Sequence, residues 1–394
     1  MSEAGKAQVP EIGSGPETRR ARVRERMRKE GVELLVLAPG ADVRYLLGTS
    51  PLPDERPAYL LLSQEKMAVV VPALNAEELA ERTQGQDLPL MRWHDLDGPT
   101  GALKDALRYL GWEGSTSRSG SSVRVALGDP MRLDHALMLA RALEASGIPG
   151  LPPKALGSAI VGPVRMRKDA DELRALKESS ERADEAMEAG FAALQVDARE
   201  LDVSQAIVQA FGAGGAERTE FALVAAGRNS AEPHHRADRT RIGKGDPVFL
   251  DIGCTYGGYQ SDLTRMAHMG EPSVEYLKVH DTVRRACDAA LAVVGPGVAA
   301  ADVDRAARAV IVGAGYGEFF VHRTGHGIGL EGHEPPAIQI GNETLLDVGM
   351  AFSIEPGIYL PGRFGVRIED VVVVEEDGGH RLSRLPHTVH AIDA

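Results

Sequence analysis

Apolar positions in the first third of the chain follow two alternating periods. Residues 20–30 carry a helical pattern, whereas VELLVLAP (32–39), AYLLL (58–62) and MAVVVP (67–72) are short apolar runs of the length of buried strands. Helical patterns return at 75–83 and 101–110, and this alternation predicts an α/β domain. The composition shifts at PPKALGSAIVGPVRMRKDADE (152–172), after which Leu173, Leu176, Met187, Phe191 and Leu194 recur at helical intervals. Helices are expected again at 201–213 and 273–294, flanking strand–turn–strand units, so the whole chain reads as α+β. The predicted divisions are a disordered tail (1–15), a first domain (16–161) and a second (162–394). TSPLPDERP (49–57) reads as a connection between strands, and GSTSRSGSS (114–122) as a mobile loop.

The composition narrows the class of protein. With 394 residues, 43% hydrophobic and 26% charged, the chain is long enough for two packed domains without covalent staples. Cys254 and Cys287 are its only cysteines and form no CxxC pair, which excludes a disulfide framework and suits a reducing cytoplasm. A formal charge of −13 repels phosphate backbones, so no nucleic-acid partner is expected. The basic run RRARVRERMRK (19–29) is interrupted by Glu25 and reads as the solvated face of a helix. No apolar stretch approaches the ~20 residues that cross a bilayer, so no membrane partner is expected. The N-terminal segment likewise lacks the apolar core of a secretory signal.

Against this ordinary background, acids and histidines stand inside apolar strands. FLDIGCTYGGYQSDLTR (249–265), HRTGHGIGLEGHEPP (322–336) and FSIEPGIYLPGRFGVRIEDVVVV (352–374) carry Asp251, Asp262, His326, Glu355 and Glu369. Burying a charge costs several kcal/mol unless something compensates it. Asp251 and Asp262 are equidistant from 256.5, near the Tyr256-Gly257-Gly258-Tyr259 turn, and Glu355 and Glu369 are equidistant from Gly362. Two hairpins with this common plan hint at an internal pseudo-twofold, and each would set two carboxylates side by side on one face. Like charges so placed repel, and a pair of divalent cations would resolve both conflicts. A set of oxygens with one imidazole favours manganese or another first-row divalent ion over structural zinc. Two such ions can activate water and stabilise a developing oxyanion.

These segments, DIG(x8)SDLTR, HRTGHGIGLEGHEPP, SIEPGIY and VRIED, resemble the pita-bread metallopeptidases, and specifically their Xaa-Pro peptidase branch. The resemblance implies a creatinase-like N-terminal domain followed by a pita-bread catalytic domain. It implies two divalent metal ions per subunit, Mn2+ foremost with Co2+ or Zn2+ as alternatives, and a homodimer. Asp262 and Glu369 would bridge the ions, Asp251 would complete one shell, and His326 and Glu355 the other. His234 is preferred to the adjacent His235 as a substrate-contacting residue because of its spacing from Asp251. His333 would steady the scissile carbonyl, and His322 would line a proline pocket. Arg367, two residues before Glu369, shares its face and would orient carboxylates or touch substrate, with Tyr359 as a further orienter. Glu355 would also shuttle a proton to the leaving nitrogen.

The implied reaction is hydrolysis of the X-Pro imide bond of a dipeptide or short peptide. Arg56, in the proline-stiffened loop, is a candidate for the substrate carboxylate, and Asp54 or Glu55 for its amino group. A dipeptidase is preferred to an aminopeptidase acting on longer peptides. A non-catalytic binder of the same fold is disfavoured because all five ligand positions are filled.

Overall fold

A computed structural model describes residues 14–112, 123–148, 153 and 155–393. Most of the expected tail and the whole 114–122 loop therefore lie outside the described residues. The chain divides into two compact units at Arg165/Met166, which leaves the short helix Gly162–Arg165 in the first unit rather than the second. Among the described residues no helix is long and apolar enough to cross a membrane.

The first unit is built on a six-stranded mixed sheet. Its central strand Leu34–Leu37 pairs antiparallel with Tyr59–Ser63 and parallel with Val125–Leu127. Strands Leu34–Leu37, Tyr59–Ser63 and Met67–Pro72 are buried throughout, as their unbroken apolar runs require. Helices Thr100–Tyr109 and Leu133–Ala145 cover one face through Leu103, Leu107, Leu139 and Leu143. Helix Pro16–Glu30 differs from its expected solvated role. Arg19 is buried, and Arg20, Arg22 and Arg24 donate to the carbonyls of Leu46, Val164 and Ser63 at 2.9, 3.1 and 3.0 Å. These arginines spend donors on backbone carbonyls as well as on solvent.

In the second unit, Asp169 and Glu172 close a capping box at the start of helix Ala170–Ala192. This helix and Glu200–Ala213 pack Met187, Ile207 and Phe211 onto Val248, Leu250 and Ile252. Those last three lie in the sheet made by Arg218–Ala226, Pro247–Tyr256, Leu263–Met269 and His390–Ile392. Helices Val274–Val293 and Ala300–Gly313 similarly pack Val279, Val283, Ala307 and Ile311 with Phe352, Val372 and Val374 of a second five-stranded sheet. The plan therefore occurs twice. In each half the residue before the second helix makes an isolated bridge to a later segment, Arg199 to Arg241 and Ala299 to Leu345. A twisted ribbon, Gly357–Leu360 with Phe364–Arg367, completes the unit.

Candidate metal centre

The acidic segments meet because two hairpins touch edge to edge. Pro247–Tyr256 turns through Gly257 and Gly258, both at positive φ (57° and 83°), into Tyr259–Gln260 and then Leu263–Met269. Only a primed turn of this kind matches strand twist in a two-residue loop, and it asks for glycine. Tyr256 pairs with Tyr259, so the hairpin is centred on 257.5, not 256.5. Asp251 consequently faces Thr264, and Asp262 lies two residues away, diagonal to Asp251 on the same face. The second hairpin keeps its expected centre. Ile354 pairs with Asp370 and Gly357 with Arg367, and this shared register sets Glu355 against Glu369. Thr264 joins the two hairpins: its carbonyl accepts from Glu369 N at 3.2 Å, and its hydroxyl donates to Glu369 Oε2 at 2.7 Å.

His326 comes from the short strand Gly325–Gly327, squeezed between Glu334–Ile338 and Ala351–Ile354. A Cβ at Gly325 would run into the Ser353 carbonyl and one at Gly327 into the Pro335 carbonyl, which explains the glycines on both sides of the histidine. His326 Nδ1 lies 3.1 Å from the Gly327 carbonyl and donates to it, leaving Nε2 as a lone pair 3.3 Å from Glu355 Oε1 and 3.6 Å from Asp262 Oδ2. Ser353 Oγ donates to Glu355 Oε1 at 3.2 Å and accepts from His326 N at 3.1 Å.

These groups line a cavity of about 550 Å³, together with Phe221, Leu223, Pro233, His234, Val321, His322, Arg323, His333 and Arg367. Four of the five expected ligands are more than nine-tenths buried, Glu355 being the more open. Burial, followed by repulsion among the carboxylates, holds the Asp262 and Glu369 carboxyls far above their ordinary range; burial pushes Glu355 up to about 7. Burial also lowers His326 to about 3 and His322 to about 4, so both rings are neutral bases near neutral pH.

Does this constellation fit metal ions? Ligand atoms of Asp262, His326 and Glu369 lie within 4.8 Å of one another. Asp251 Oδ1 is buried without a hydrogen-bond partner, and Arg367 pairs with the other oxygen, Oδ2. One guanidinium cannot balance four converging carboxylates, whereas divalent cations would both neutralise them and satisfy the orphaned oxygen. The residues fit.

The structure also assigns places to the remaining candidates. His234 lines the cavity, whereas His235 bonds to Glu200 at 2.7 Å. His333 packs edge-on against His326, ring centroids 4.0 Å apart. Tyr359, expected as an orienter, is buried behind the wall and does not line the cavity. Its hydroxyl accepts from Arg367 Nη1 at 2.7 Å and meets His322 Nε2 at 2.9 Å, forming a chain from His322 through Arg367 to Asp251. Arg56 belongs to the first unit, where Asp95 holds it through two hydrogen bonds of 2.9 and 3.0 Å. Sequence reasoning missed Thr264 and Arg323. Strand alternation from Asp262 would have found Thr264; Arg323 had only its place beside His322 as a signal.

Comparison with known proteins decides the family. The profile of metallopeptidase family M24 matches residues 174–376, just over half of the chain, and that of the creatinase/prolidase N-terminal domain matches 19–143. The chain belongs to metallopeptidase family M24. This M24 chain is 40% identical to a probable dipeptidase PepE of Mycobacterium tuberculosis over 361 residues, 91% of each sequence. It is 32% identical to the Xaa-Pro dipeptidase of Pyrococcus furiosus, covering 91% of the chain and 95% of that enzyme. The crystal structure of dipeptidase PepE from Mycobacterium ulcerans superposes with a TM-score of 0.86 at 37% identity, covering 96% of this chain and 98% of that one. The second unit is thus the pita-bread catalytic domain of a metallopeptidase, and the family's chemistry depends on a dinuclear metal centre.

Protons should leave as metal enters. A carboxyl raised to about 7 keeps its proton where the unfolded chain, with an ordinary value near 4.5, has lost it. Such a group opposes folding above pH ~4.5, and a cation that binds only the carboxylate reverses the penalty. Calorimetric titration of stripped protein near pH ~6.5, in buffers of differing ionisation heat, should therefore show net proton release. His326, already neutral, contributes none. Heat independent of buffer would mean that the carboxyls are ionised before metal arrives.

Proposed function

We propose that this metallopeptidase hydrolyses Xaa-Pro dipeptides, with two manganese ions as its native cofactor, in the cytoplasm and as a homodimer. One observation carries the dipeptide reading. Arg323 lines the cavity, and its guanidinium makes no ion pair or hydrogen bond to an acidic side chain among the described residues. Its charge nevertheless acts on His333, His326 and Glu355, so it stands close enough to receive an anion bound at the centre. A dipeptide presents such an anion, its C-terminal carboxylate, next to the scissile bond; a longer peptide does not. The likeness to enzymes named Xaa-Pro dipeptidase supports the same substrate.

In this reading Asp251, Asp262, His326, Glu355 and Glu369 hold the ions, which when bound polarise the carbonyl and supply an activated water. Neutral His333 donates to the scissile carbonyl oxygen, and His322, steadied by Tyr359, lines the proline side. Glu355, steadied through Oε1 by the Ser353 hydroxyl, takes a proton from the attacking water and returns it to the proline nitrogen. Phe221 and Leu223 alternate on one strand face and give the first residue an apolar wall. Proline's nitrogen has no N–H in the substrate, so recognition must rest on ring shape and the carboxylate.

The test compares Ala-Pro with Ala-Pro-amide. A hydrogen-bonded charge pair contributes about 1.5–3 kcal/mol, so Arg323→Ala should lower the acid-over-amide ratio of kcat/KM by roughly 10- to 100-fold. An unchanged ratio rules Arg323 out as the carboxylate receptor. Equal cleavage of Ala-Pro and a longer Xaa-Pro peptide by the unaltered enzyme favours the aminopeptidase reading.

A further inference from the structure

The choice between His234 and His235 leaves a histidine without a role, yet its surroundings are more ordered than those of a spare residue. We propose that His235, clamped by Glu200, is a positioning residue that fixes His234 on the cavity wall. The inference rests on the Xaa-Pro reading for its kinetic readout.

Glu200 opens the helix Glu200–Ala213, and its side chain is fully buried. Both of its oxygens turn to the segment that carries His234. Oε1 accepts from Ala226 N at 2.7 Å and Asn229 Nδ2 at 3.0 Å; Oε2 accepts from His235 Nε2 at 2.7 Å and Asp238 N at 3.3 Å. Asn229 also reaches Thr240 Oγ1 at 3.2 Å. One buried carboxylate thus gathers residues 226 to 238, and His235 makes the shortest side-chain bond to it. The segment is held from its other side as well. Arg367 Nη1 donates to the Pro233 carbonyl at 3.3 Å, and Gly365 N donates to Ser230 Oγ at 3.0 Å. Pro233 and His234 line the cavity between these two clamps. Pro233 and His234 are the two central residues of a turn closed by His235 N donating to the Glu232 carbonyl at 3.0 Å, so the clamp on His235 fixes the end of the turn that presents His234.

The second half of the catalytic domain has a counterpart. Asp304, fully buried on helix Ala300–Gly313, accepts from Thr324 N at 3.0 Å and from Thr324 Oγ1 at 2.8 Å. It also pairs with Arg308, whose Nη2 donates to the His322 carbonyl at 2.9 Å. In both halves an acid on the second helix holds the segment that presents a cavity histidine. The repeated device marks the Glu200 cluster as part of how the site is assembled.

A double-mutant cycle tests this. His235→Ala should lower kcat/KM for Ala-Pro by about 10- to 100-fold, the scale expected when a contacting group is misplaced by about 1 Å. The same change made in a His234→Ala background should cost less than about threefold, because the group being positioned is gone. Bound metal per chain should stay at the unaltered level in every variant. His235→Gln, which retains an N–H donor, should recover much of the loss. Equal losses in both backgrounds, or a loss that tracks metal content, would overturn the proposal. If His235→Ala does not fold, His235→Phe keeps the ring volume without the donor and enters the same cycle. An unaltered enzyme that leaves Ala-Pro intact refutes the functional reading instead. The inference is then judged by the NMR signal of the His234 ring, which must shift in His235→Phe; an unmoved signal overturns it.

Discussion

Glu369→Ala is expected to remove both metal and catalysis, lowering Ala-Pro turnover by at least about a thousandfold, the scale on which essential catalytic groups act. Glu369 sits where the two hairpins meet, opposite Glu355 and bridged to Thr264. Its carboxylate shares a group of ligand atoms with Asp262 and His326. Removing it takes a ligand from the centre of the set rather than its edge. Stability should respond in the opposite sense. Glu369 is buried, held far from its ordinary protonation state and repelled by Asp262 and Glu355, so the metal-free alanine variant should melt no lower than metal-free parent protein. The paired result, activity gone and the metal-free fold intact, is measured by metal analysis, Ala-Pro assay and thermal melting. Full turnover in Glu369→Ala, or a collapsed fold, goes against this account.

Arg367→Ala is expected to act through the fold itself. Arg367 is 3% exposed; its guanidinium pairs with Asp251, donates to Tyr359 and the Pro233 carbonyl, and stacks 4.4 Å above the Phe249 ring. Removing one partner of a buried pair leaves an uncompensated charge and costs about 3–5 kcal/mol. For a domain of this size that lowers Tm by roughly 6–20 °C. The loss should be smaller with metal bound, because a cation also compensates Asp251. Arg367→Lys should fall in between, since a point charge cannot reproduce the planar fork that reaches Asp251, Tyr359 and Pro233 together. Differential scanning calorimetry with and without metal checks all three statements. An Arg367→Ala protein that melts like its parent under both conditions would falsify the role given to this pair.

Much of this arrangement is legible in the sequence. Long periodic segments gave helices Ala170–Ala192 and Val274–Val293, and continuous apolar runs gave three of the six strands of the first sheet, Leu34–Leu37, Tyr59–Ser63 and Met67–Pro72. The helix Ala300–Gly313 was not among the expected elements, although its buried Val303, Ala307 and Ile311 recur at helical spacing. The two hairpins show how far symmetry arguments reach. Around Gly362 the strands on both sides share one register, so counting outward paired Glu355 with Glu369. Around Tyr256-Gly257-Gly258-Tyr259 the turn consists of the two glycines, which moves the centre by one residue and the partner of Asp251 by two. The face survived because strand side chains repeat every two residues. Glu200 and Asp304 were not legible at all. Each looks like an ordinary helical acid, and their partners lie 26 to 38 and 4 to 20 residues away along the chain. Arg323 was overlooked for a related reason: a free cation shows itself only once the acids that might have paired with it have been placed.

The central claim is that five residues hold a two-metal centre that cleaves Xaa-Pro dipeptides. Stepwise addition of Mn2+ to chelator-stripped protein, following Ala-Pro hydrolysis and bound metal in the same sample, tests it most directly. The account predicts no turnover in stripped protein and activity that saturates at two ions per chain. Undiminished hydrolysis in stripped protein, or intact Ala-Pro with both ions bound, would contradict it.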